Sequence, residues 1–152
     1  MNHRRTPCVG ICSTTYGDLV CRGCKRFAHE IVQWNGFRED QQDRVWERLM
    51  DLRTGAVTSL VRIVHPKQLL ASAISLNVPD AAKLPRAQLA YEVLRRMPSR
   101  GLKLSTTGLA PVANDATGLL SADPVRILKQ IEGEFYQRSL AHYEHNFKTP
   151  VQ

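Results

Sequence analysis

Apolar residues recur at helical spacing over most of this chain, and the first 24 positions are the exception. From Met1 to Cys24 the sequence is rich in Cys, Gly, Thr and Arg and shows no helical period. It predicts a loop or short hairpin, with Tyr16-Gly17-Asp18 as the turn. Just after Cys24, Phe27, Ile31 and Trp34 fall at i, i+4 and i+7 and predict a short helix stopped at Asn35-Gly36. A second helix is expected from about Glu39 to Leu52. Val45, Leu49 and Leu52 form its buried face, Trp46 lies at its edge, and Glu39, Asp40 and Asp43 sit near its positive end. Thr54-Gly55 is the expected boundary between a first domain, 1–54, and an extension, 55–152.

The extension is also mostly helical in pattern. Val57 to Val64 is β-branched and apolar, which fits a short strand or a continuing helix equally well. Pro66 and Pro85 are placed as first-turn prolines, the first for a helix through Leu69, Leu70, Ala73 and Ile74. The second begins a helix with Leu89, Val93 and Met97 stacked on one face before Pro98. Gly101 to Leu120 is a loop with room for one short strand. Asp123-Pro124 then starts a final helix to about Asn146, roughly 35 Å long, as a capping acid followed by proline. The fold class expected is mainly α, with a small four-cysteine hairpin at the N-terminus and one or two short strands in the C-terminal part.

Composition narrows the function. With 152 residues, 43% of them hydrophobic and 23% charged, the chain is an ordinary globular sequence. No stretch approaches the ~18 apolar residues of a membrane span, and the basic start lacks the apolar middle of a secretory leader. A cytoplasmic location is therefore expected. The net charge of +7 permits an acidic partner or nucleic acid.

The four cysteines change the picture most. They run Cys8-x3-Cys12-x8-Cys21-x2-Cys24, two close pairs joined by a short loop. Thiols paired two to four residues apart are the usual units of a tetrahedral zinc site, and in a reducing compartment they point to metal before disulfides. Gly10 and Gly23, inside the pairs, let the backbone turn N–H groups toward sulfur. Four thiolates carry a net charge of −2 around zinc and also around an oxidised iron–sulfur cluster. Arg4, Arg5, Arg22, Lys25 and Arg26 offset that charge in either case, with helix N-terminal amides after Cys24. The spacing favours zinc, because common iron–sulfur spacings differ.

Pro7-Cys8-Val9-Gly10-Ile11-Cys12, then Cys21-Arg22-Gly23-Cys24-Lys25-Arg26, then Glu30-Ile31 and Trp34, resemble a bacterial family known only as domain of unknown function 1289. The resemblance covers Thr6 to Leu49. It implies that Cys8, Cys12, Cys21 and Cys24 are ligands and, since members are catalogued as predicted iron–sulfur proteins, it shifts the expectation toward a cluster. Zinc and iron–sulfur both stay open. Lys25 and Phe27 stand where Gly and Thr are common in the family, and neither removes a ligand.

Other candidates are weaker. Trp34, with Glu30 nearby, is expected to pack over the metal loop. His3 and His29 are spare ligands to a site that four thiols already close. His142, Glu144 and His145 form a polar run near a helix end, where cationic histidine suits the dipole. Arg95, Arg96, Arg100 and Lys103 make the best basic patch for nucleic acid. No dinucleotide, phosphate-loop, zinc-protease or serine-hydrolase motif is present, so the expectation leans away from an enzyme and shows no small-molecule substrate. The sequence reads as a small metal-binding protein acting through a protein partner. The alternatives are an iron–sulfur electron carrier or sensor, and a nucleic-acid-associated factor.

Overall fold

A computed structural model describes residues 6–10, 12–112 and 123–147. Among these residues the helices are α1 (Ala28–Gln33), α2 (Glu39–Leu60), α3 (Pro66–Ser75), α4 (Arg86–Arg96) and α5 (Pro124–Phe147). The strands are β1 (Val61–Ile63) and β2 (Leu109–Pro111), and short 3-10 turns fill several connections. The described residues are thus mainly helical with one small sheet, as the periodicity predicts. No helix among the described residues is long and apolar enough to cross a membrane.

The chain forms two compact units. The first comprises residues 1–52 together with 134–152, so the end of the last helix groups with the cysteine segment. The second comprises residues 53–133.

In the first unit, Val20 pairs with Phe27 in an antiparallel bridge, and the Ala28 amide donates to the Leu19 carbonyl. The hairpin therefore closes around the second cysteine pair. The expected turn at Tyr16-Gly17-Asp18 is instead a 3-10 turn, Ser13–Tyr16, ended by Gly17 at φ +101°. That left-handed φ suits glycine. Helix α1 starts at Ala28, later than expected, because Lys25 takes a left-handed φ of +66° and Phe27 is extended. The core of this unit includes Val20, Phe27, Trp34, Val45, Leu49 and Phe135.

Helix α2 does not stop at Leu52 but continues through Thr54-Gly55 to Leu60. One helical glycine costs only about 1 kcal/mol relative to alanine, and Ala56 and Val57 just beyond it are buried. The ambiguous run after Gly55 is both things in turn: helix to Leu60, then strand β1. In the second unit β1 pairs antiparallel with β2, Arg62 opposite Ala110. Leu69, Ala73, Ala90, Val93, Leu94 and Met97 are among its most buried residues. Asp123 caps α5 as predicted, its carboxylate accepting from the Val125 amide at 3.1 Å. Most of the expected loop after Val112, with Ser121 and Ala122, lies outside the described residues, as do His3, Arg4 and Arg5.

Candidate metal centre

None of the four cysteines forms a disulfide. Cys21 and Cys24 are buried, Cys12 is half-buried and Cys8 is exposed. The segment from Cys21 to Arg26 is a tight turn: the Lys25 amide donates to the Cys21 carbonyl and the Cys21 amide to the Arg26 carbonyl, both at 2.9 Å. This turn is why Lys25 adopts a positive φ. The Lys25 ammonium folds back onto the Gly23 carbonyl at 3.0 Å and lies 5.0 Å from the centre of the Phe135 ring.

The sulfurs sit among donors. Burial pushes the Cys21 thiol up, but N–H groups from Cys24, Ser13 and Gly23, with the Cys24 thiol, outweigh it and bring it down to about 7. Thr14 Oγ1 lies 2.9 Å from Cys12 Sγ and lowers that thiol as well. Cys24 goes the other way, raised by burial and only partly offset by Arg26, whose Nε–H donates to its sulfur at 3.3 Å. The Gly10 amide points at Cys8 Sγ at 3.4 Å. Among the described residues no three His, Cys, Asp or Glu side chains converge closely enough to hold a metal. The donor chemistry fits a thiophilic metal nonetheless: free thiols on a tight turn, N–H groups on sulfur, and cations beside them.

Residues 6–53 match the family model described as Protein of unknown function (DUF1289). That segment is similar to the DUF1289 family. It spans roughly a third of the chain and contains all four cysteines. No curated protein and no solved structure matches the chain.

Beyond the thiols, the DUF1289 segment owes its shape to two residues singled out in its sequence. Glu30, buried, accepts the Phe27 amide at 2.8 Å and so closes the first turn of α1. The same carboxylate takes both Arg48 Nη atoms at 2.6 Å, and the guanidinium lies 4.0 Å from the centre of the Phe27 ring. The Phe27 amide therefore serves Glu30 and the Ala28 amide the Leu19 carbonyl, and the N–H groups near sulfur come from the loop itself. Trp34 is buried, as expected of a packing residue, with the Arg26 guanidinium 4.9 Å from its ring centre. The Arg26–Trp34 and Glu30–Arg48 pairings are the interactions that sequence reading missed. Arg26 was marked there only as one of the charges around the sulfurs.

Two of the histidines pack against rings. His29 and His142 join an aromatic cluster around Phe27 with Tyr143 and Phe147, at centroid distances of 5.1 to 6.1 Å from Phe27. In the second unit the basic patch is partly neutralised. Arg95 pairs with Glu92 at 3.2 Å and Arg96 pairs with the same carboxylate, while Arg100 and Lys103 are exposed. An acid one turn earlier thus pairs with two of the four residues and offsets one of the four charges.

Proposed function

We propose that the DUF1289 segment is a four-cysteine metal-binding module, with Cys8, Cys12, Cys21 and Cys24 holding a zinc ion or an iron–sulfur cluster. We further propose that the protein acts through contact with another protein, not through catalysis of its own. One observation carries this reading. A fully buried sulfur, Cys21, is surrounded by backbone N–H groups that favour its thiolate. Thiolates are what metals bind, and the other three thiols lie within 17 residues of sequence. A bound metal would cross-link a loop that has little apolar surface to bury, a contribution of ~10 kcal/mol or more for tetrathiolate zinc. A cluster would add one-electron chemistry and turn the module into a carrier or sensor.

The test is metal analysis with an absorption spectrum on protein purified without oxygen or chelators. A colourless protein with one zinc per chain supports the structural form. A brown protein with iron and sulfide, bleaching on reduction, supports the redox form. Protein lacking both metals, with all four thiols open to alkylation, overturns the proposal.

A further inference from the structure

Arg26 is only 4% exposed. A guanidinium keeps its proton inside proteins, and a buried charge is costly unless matched by an opposite one. Among the described residues no carboxylate pairs with it. Glu30, the buried acid of α1, is committed to Arg48. What Arg26 does have is a sulfur and a ring: its Nε–H donates to Cys24 Sγ at 3.3 Å, and its guanidinium lies 4.9 Å from the Trp34 ring centre. Its carbonyl accepts the Cys21 amide at 2.9 Å, so its backbone is tied to the other buried cysteine. The planar cation thus lies over a ring and donates to sulfur, an arrangement suited to arginine and not to lysine. A neutral thiol leaves that cation uncompensated, whereas a metal-bound thiolate in a site of net charge −2 compensates it.

We propose that Arg26 is the positioning residue of the metal centre, with Trp34 as its clamp. Resting on the metal-binding reading above, this assigns Arg26 two tasks: it orients the Cys24 thiolate by an N–H···S bond, and it offsets the excess negative charge of the four sulfurs. Partners of this kind, outside the ligands themselves, tune affinity and electronic structure without touching the metal.

The experiment uses the full chain, stripped of metal and titrated with Co(II), whose sulfur-to-metal charge-transfer band reports thiolate coordination. Arg26→Gln is expected to weaken Co(II) binding about ten- to a hundred-fold and to shift the band. Arg26→Lys restores the charge without the planar fork and is expected to recover part of the affinity. Wild-type affinity and an unshifted band in Arg26→Gln overturn the inference while leaving the metal site standing. A wild-type chain that takes up no Co(II), Cd(II) or iron overturns the metal-binding module and this inference with it. Should Arg26→Gln fail to fold, the wild-type chain still decides. On Cd(II) loading, the Arg26 Nε–H resonance is expected to shift and its exchange with water to slow. An Nε–H signal indifferent to Cd(II) overturns the inference.

Discussion

Single residues in this protein hold backbone geometries that composition does not reveal. Gly108 has φ +77°, and its carbonyl accepts the amides of Val64 and His65 at 2.8 and 3.1 Å. A Cβ there would lie 2.4 Å from the His65 carbonyl oxygen. Gly108→Ala is therefore expected to cost at least about 2 kcal/mol, from the left-handed φ and the backbone clash together. Denaturant unfolding measures it, and a loss below about 0.5 kcal/mol would contradict the geometry. In sequence Gly108 was one glycine in a loop; its clash partner lies far back along the chain, so nothing local marked it. Lys25 is the reverse case. Its place just after the second cysteine pair was visible at once, but its positive φ was not.

At the scale of elements, the structure depends on long polar side chains that tie helices within each unit. Glu30 and Arg48, with side chains 7% and 16% exposed, join α1 to α2. Arg48→Ala leaves the carboxylate buried without its counter-ion and is expected to destabilise by about 3 kcal/mol. Pairing it with Glu30→Leu should recover part of that loss in thermal unfolding, and simple additivity of the two would argue against a coupled pair. In the second unit the Tyr91 hydroxyl of α4 donates to Glu132 of α5, and the Arg53 guanidinium lies 4.1 Å from the Tyr91 ring centre. Burial, with the Glu132 charge, holds the Tyr91 phenol above its ordinary value of 10.0. The folded chain thus keeps this proton after the unfolded chain has lost it. The resulting stabilisation is complete below pH 10 and is lost as pH climbs through and above 10. Tyr91→Phe is expected to flatten that alkaline limb, as followed by unfolding midpoints from pH 8 to 11. Hydrophobic periodicity located α3, α4 and α5 well because their faces are local patterns. It misplaced the end of α2 because a helical glycine is a small local penalty that buried neighbours beyond it override.

For the molecule as a whole, the metal question is tied to folding of the first unit. Cys21→Ser is expected to abolish stoichiometric metal and to shift the fluorescence of Trp34, which the Arg26 side chain connects to the cysteine turn. Unchanged metal content and emission in this variant would remove Cys21 from the ligand set. The net charge of +7 describes the chain but not a site, since one Glu92 carboxylate is shared by two arginines of the densest basic run.

Two kinds of information divide here. The four thiols, their spacing, the helical stripes and the α5 cap are local patterns, readable from the chain alone because neighbours along the backbone determine them. Which cation meets Cys24, which arginine meets Glu30 and which backbone Gly108 approaches depend on residues brought together only by folding. The grouping of the chain's last helical turns with its first residues has the same origin, because contacts between distant segments leave no periodic trace in sequence.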